Sequence, residues 1–189
     1  MPIRDILRLG HPALRTPASS VGDTDLQSDE IQILVDDMLE TMRSAGGVGL
    51  AAPQIGVSLQ LFVYLAVDVD RPREDAEEKV LINPAVEPEA GEPVYDWEGC
   101  LSIPDLRGLV PRPQAVRVHA LDREGSKLEF RATDYEARII QHEFDHLNGI
   151  VFVDRMRDLR SLAFSAEWER YMTEGDEPPV ESEAAAEAG

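Results

Sequence analysis

The pentapeptide His142-Glu143-Phe144-Asp145-His146 restricts what this chain can fold into more than any other feature. In a helix, residues i and i+4 lie on one face a turn apart, so both imidazoles can reach one metal ion. Glu143 sits at the edge of that face, where it can act as a general base. The flanking pattern predicts a helix over 134–147. Thr133 and Glu136 have capping-box spacing at its start, and Asn148-Gly149 can end it. Ile139, Ile140, Leu147 and Ile150 surround the histidines, which are therefore expected to be at least partly buried. Buried imidazoles need partners, and a metal supplies one. The plainer reading, two solvated histidines on a polar face, fits that apolar surround poorly.

A catalytic site of this kind needs a third protein ligand and an open position for water. The extended pattern H-E-x-x-H-x-x-G-x-x-H does not provide it: Gly149 fits, but Phe152 stands at the last position. Two sources remain open, a carboxylate from Glu167 or Glu169 and the thiolate of Cys100. A lone cysteine is most often a small buried hydrophobe. Here the run Glu98-Gly99-Cys100-Leu101-Ser102-Ile103-Pro104 puts it in a turn or distorted edge strand, which suits presenting a sulfur to a metal. Nitrogen and sulfur ligands favour Fe2+, Zn2+, Co2+ or Ni2+ over Mg2+ or Ca2+.

The rest of the chain fits one domain. At 189 residues and 43% hydrophobic content it can bury a real core. Amphipathic spacing predicts a first helix over 28–44, followed by the Gly46-Gly47-Val48-Gly49 turn. Strands are expected over 59–67, 80–86, 115–121 and 127–132, and a third helix over 157–172. Strands in runs beside isolated helices indicate an α+β class. Residues 68–79 read as an exposed loop. Residues 1–172 form the expected catalytic domain; 173–189 carry six acids and no base and read as a disordered acidic tail. A formal charge of −19 argues against binding nucleic acid or an anionic membrane. A single cysteine fits a reducing, cytoplasmic compartment, no stretch is long and apolar enough for a membrane span, and a monomer is the default expectation.

Three segments carry a resemblance. Gly47-Val48-Gly49-Leu50-Ala51-Ala52-Pro53-Gln54, Glu98-Gly99-Cys100-Leu101-Ser102 and Gln141-His142-Glu143-Phe144-Asp145-His146 resemble, in order and separation, the signature motifs of the peptide deformylases. The resemblance covers residues 3–153. It implies antiparallel sheets packed around a central HExxH helix, with a C-terminal helix. It also implies removal of the formyl group from the N-terminal formyl-methionine of newly made polypeptides. On this basis Cys100, His142 and His146 are the metal ligands, Cys100 taking the place left open to Glu167, and Fe2+ is the expected ion in the cell. Glu143 is the general base; the Gln54 amide and the Leu101 N–H stabilise the oxyanion. Gly47, Val48 and Gly49 pair with the peptide like an added strand, Val48 also lining the methionine pocket. Arg107 meets the chain beyond methionine, and Glu98 orients the loop. The ordinary alternatives are a surface-turn role for Gln54, a solvated carboxylate for Glu98 and an exposed arginine for Arg107; Asp145 reads as a polar residue of the helix, with a supporting role behind the metal ligands as its alternative. His11 and His119 are given no ligand role. Two other functions compete: a His2Glu peptidase, and a structural or sensory metal module. A third variant keeps the site but takes a different acyl group. The family's well-known members dock on the ribosome through a basic C-terminal helix. Here Arg155, Arg157, Arg160 and Arg170 alternate with Asp154, Asp158, Glu167 and Glu169, so ribosome contact is expected to be weak or differently arranged.

Overall fold

The computed structural model describes residues 2–67 and 76–173. Among the described residues four α-helices run in chain order as α1 (Asp29–Ser44), α2 (Asp134–Leu147), α3 (Phe152–Arg155) and α4 (Ser165–Tyr171). The strands are β1 (Gly49–Ala51), β2 (Leu61–Ala66), β3 (Glu77–Pro88), β4 (Val94–Cys100), β5 (Ile103–Arg112), β6 (Ala115–Leu121), β7 (Lys127–Thr133) and β8 (Ala163–Phe164). They form a five-stranded antiparallel sheet ordered β1-β2-β3-β6-β7 and a three-stranded one ordered β4-β5-β8. This is the expected α+β class.

The larger sheet lies between two helices. Side chains alternate across a strand, so Leu61, Val63 and Leu65 of β2 pack with Val35, Met38 and Met42 of α1. Phe62 and Tyr64 point the other way and pack with Ala137, Ile140 and Leu147 of α2. A third cluster, Ile103, Val110, Val151 and Phe152, joins β5 to the segment after α2. The HExxH helix therefore sits between the two sheets. No helix among the described residues is long and apolar enough to cross a membrane.

Ser28 caps α1 as its position suggests, accepting the Ile31 N–H at 3.3 Å. α2 keeps its predicted bounds and ends at Asn148, with Gly149 in the left-handed region at φ 71°. Its capping box does not form. The Thr133 side chain makes no cap bond, and Glu136 instead accepts the Tyr64 hydroxyl at 3.0 Å. The third helix is also corrected: 157–172 contains a 3-10 turn at Leu159–Ser161, then β8, and only the seven-residue α4. Asp158 caps the turn, and β8 pairs with Leu106 and Arg107 of β5, so tertiary pairing overrides helical spacing. The loop expected over 68–79 ends earlier, because Glu77–Lys79 open β3; its remainder, 68–75, and the tail from 174 lie outside the described residues. An extended N-terminal arm ties in near the cleft. The Leu7 N–H donates to the Gln54 carbonyl at 2.7 Å, and the Leu9 N–H to the Ser102 carbonyl at 2.8 Å.

Candidate active site

α2 carries His142 and His146 one turn apart, their ring centroids separated by 5.1 Å. The third partner arrives from the end of β4, where the pairing with β5 shifts register between Glu98 and Cys100. That irregularity turns the Cys100 sulfur toward α2, 3.3 Å from His146 Nε2. One ligand atom each from Cys100, His142 and His146 lies within 4.8 Å of the others. Bonds of about 2.3 Å to sulfur and about 2.0 Å to nitrogen at a tetrahedral angle put two such ligands about 3.5 Å apart. The donor set and its spacing therefore fit a borderline divalent ion. Glu167 and Glu169 lie exposed on α4 and are not among the clustered residues.

Burial and hydrogen bonding together set the protonation of the centre. His146 is 1% exposed, and burial drives its pKa well below the usual range, leaving a neutral ring able to donate a lone pair. For His142, burial pushes down, but hydrogen bonds to Cys100 and Glu98 outweigh it and raise the pKa well above normal. The Nδ1–H of His142 donates to Glu98 Oε2 at 2.9 Å, which directs Nε2 toward the cluster. Glu98 is no solvated carboxylate. It is 5% exposed, and despite burial its pKa is held far below the usual range by Arg112 and His142.

Glu143 is 4% exposed, and burial pushes its pKa up to about 7. Among the described residues its buried Oε2 has no hydrogen-bond partner. A buried carboxylate oxygen lacking a donor is costly, so this atom is held ready for a proton that no neighbouring side chain supplies. Gln54, 1% exposed, sits in a 3-10 turn after β1. Its Oε1 accepts the Ala51 N–H at 2.8 Å, which fixes the amide orientation and turns Nε2 toward Ser102 Oγ at 3.2 Å and Cys100 Sγ at 3.5 Å. It is a buried, oriented donor, not a surface-turn residue.

A cleft of about 450 Å³ opens above these groups, lined by Gly47, Val48, Gly49, Gln54, Cys100, Leu101, Arg107, His142 and Glu143 among others. That volume suits a small ligand or a few residues of peptide. β1 is an outer strand of its sheet. Arg107 lies over the Trp168 ring with its Cζ 5.1 Å from the centroid.

Sequence reasoning missed part of the centre. Arg112 and Arg138 clamp Glu98, and Asp145 is 4% exposed and paired with Arg112 and Arg155, so it is not an ordinary polar residue of the helix. No motif spacing marks these arginines; their partners come from separate elements. Phe152, where the extended motif would have a histidine, stacks on His142 at 6.4 Å instead. His11 caps the Pro12–Arg15 turn, and His119 lies on β6 away from the cluster.

The sequence model of the polypeptide deformylase family matches residues 3–161. Peptide deformylase 1 of Nitrosomonas europaea is 43% identical over 166 residues, covering 86% of this chain and 93% of that protein. Peptide deformylase 2 of Bordetella bronchiseptica is 46% identical over 165 residues, with 86% and 93% covered. Among solved structures, the Met-Ala-Ser-bound class I type b peptide deformylase of Acinetobacter baumannii aligns with a TM-score of 0.75 at 36% identity, covering 82% of this chain and 99% of that one. A Synechococcus elongatus peptide deformylase in complex with actinonin gives a TM-score of 0.74 at 43% identity, with 85% and 82% covered.

Proposed function

The chain belongs to the peptide deformylase family, and from that premise we propose how its residues divide the work of hydrolysing a formyl amide. The enzyme is a metal-dependent amide hydrolase that removes the N-formyl group of nascent polypeptides. Its substrate end is formyl-methionine and its small product is formate. Residues 1–172 act as one catalytic domain, with 173–189 as an acidic extension.

Cys100, His142 and His146 would hold one divalent ion, Fe2+ in the cell, with Zn2+, Ni2+ and Co2+ acceptable to the same donors. When bound, the ion supplies Lewis acidity toward the formyl oxygen and makes a water acidic enough to serve as nucleophile near neutral pH. Glu143 Oε2 takes up the proton of the attacking water and delivers it to the amine nitrogen of the departing methionine. The Gln54 Nε2–H and the Leu101 backbone N–H meet the charge that develops on the formyl oxygen. Both donors are neutral, and Gln54 is already fixed by Ala51, so little reorganisation is needed during the reaction.

The outer edge of β1, which begins at Gly49 directly after Gly47 and Val48, suits pairing with an extended peptide backbone. Val48 would line the pocket for the methionine side chain, and Arg107 would meet the chain beyond it. The Met-Ala-Ser bound to the Acinetobacter relative begins with methionine, as a deformylated product does. The observation that carries this reading is Glu143 Oε2, buried and partnerless beside three metal donors in an open cleft. A closed structural site would use a fourth protein ligand and would have no need of that base.

The test is an anaerobic assay on formyl-Met-Ala-Ser that follows formate and peptide together. Formate with intact tripeptide is expected. Glu143→Gln should retain its metal while turnover falls by about 10²- to 10⁴-fold. Cleavage between amino acids, or metal and fold lost together in that variant, would overturn the assignment.

A further inference from the structure

Asp145 lies inside the HExxH motif, buried, yet it touches neither the metal donors nor the cleft. Its carboxylate is engaged from two sides. Arg112 Nη1 donates to Oδ2 at 2.7 Å, and Arg155 of α3 donates through Nη2 to Oδ1 at 2.5 Å and through Nε to Oδ2 at 3.1 Å. The other side of the Arg112 guanidinium grips Glu98, Nε to Oε1 at 2.7 Å and Nη2 to Oε2 at 3.0 Å. Glu98 Oε2 then accepts from His142 Nδ1. An unbroken chain of hydrogen bonds runs from half-exposed Arg155 to the imidazole: Arg155, Asp145, Arg112, Glu98, His142. Arg138 donates to Glu98 Oε1 at 2.8 Å and to the Val110 carbonyl, so the Glu98 carboxylate accepts from Arg112, Arg138 and His142 together.

We propose that Asp145, anchored by Arg155, is a positioning residue of the metal centre, holding the Arg112 guanidinium in the plane that presses Glu98 against His142. Two physical consequences follow. A planar guanidinium that forks between two carboxylates is held at three nitrogens, whereas without Asp145 it would be held only along the edge that faces Glu98. In addition, removing the Asp145 carboxylate makes the surroundings of His142 more positive by one unit charge, and a cation nearby is repelled more strongly. Both effects loosen the metal. Because Arg155 sits on the four-residue helix α3, the segment after α2 is thereby coupled to the metal site.

The inference rests on the reading that Cys100, His142 and His146 bind the ion, which turnover by the unaltered enzyme checks separately. The experiment loads the protein with Zn2+ or Co2+ and follows its release to an excess of chelator. Direct outer partners of metal-bound histidines change affinity by about 10- to 100-fold. One step further out, Asp145→Asn should speed release about tenfold and Arg155→Gln a few-fold, with Arg155→Lys restoring part of the loss. The Co2+ form of Asp145→Asn should also show a shifted visible spectrum. A merely structural role makes a different prediction: metal-free and loaded proteins melt lower by the same amount, and release is unchanged. Positioning instead narrows the gap between the two melting temperatures. If Asp145→Asn does not fold, the half-exposed Arg155→Gln decides. Unaltered release and an unaltered gap in that variant would overturn the proposal.

Discussion

A Cβ built on Gly49 would fall 2.7 Å from the carboxylate carbon of Glu143 and 2.8 Å from its Cγ, well inside contact distance. The Gly49 backbone is not left-handed, so the position needs space and not conformational freedom. Gly47 is similar, with Leu101 Cδ1 at 2.7 Å from its would-be Cβ. Gly46 differs: its φ is 67° and nothing lies within 4 Å. Gly49→Ala should therefore push Glu143 out of line and lower kcat, by about 10²-fold if the displacement nears 1 Å. Its metal content should stay unchanged, since the three donors do not move. Steady-state kinetics beside a metal assay checks this, and unchanged kcat would mean that Glu143 has room to spare. The glycine motif is readable in the sequence as a place where chains come close. Which atoms come close is not readable, because Glu143 and Leu101 reach the glycines across 94 and 54 residues of chain.

The α2 boundaries were legible because 3.6-residue periodicity and an Asn-Gly terminus are local signals. The β4–β5 hairpin was not, since Gly99, Pro104, Gly108 and Pro111 interrupt any alternation, and its register comes from cross-strand pairing. The C-terminal segment failed for a related reason: β8 exists only because the edge of β5 is there to receive it. This element also builds a shelf at the rim of the cleft. Trp168 of α4 packs on Trp97 at 5.9 Å between centroids and carries the Arg107 guanidinium. A cation over an aromatic face at a partly exposed site is worth about 0.5–1 kcal/mol, or roughly a two- to fivefold effect. Trp168→Ala should thus raise KM for formyl-Met-Ala-Ser about two- to fivefold and leave kcat intact. A formyl-Met dipeptide that does not reach Arg107 should be unaffected. Equal losses on both substrates would show that α4 merely supports the fold.

At the scale of the whole molecule, charge is the dominant feature and the part most fully legible beforehand, since it needs no knowledge of where chains meet. The net −19 includes six acids within residues 173–189, with no base among them. In the described part of the C-terminal region Arg155 is paired with Asp145 and Arg160 with Asp158, while Arg157 and Arg170 lie over the Tyr95 and Tyr171 rings. RNA affinity depends on cations that replace condensed counterions, and every nearby anion subtracts from it. The intact chain should therefore sediment poorly with ribosomes at physiological salt. A chain ending at residue 173 sheds those six negative charges and should bind more tightly. At 1 M salt the Debye length shrinks to about 3 Å, and the difference between the two chains should vanish. Formyl-peptide turnover should be the same in both, because the cleft is built from residues 46–165. Ribosome binding that is lost when 174–189 are removed would reverse the sign of the tail's contribution and make those residues a docking element in their own right.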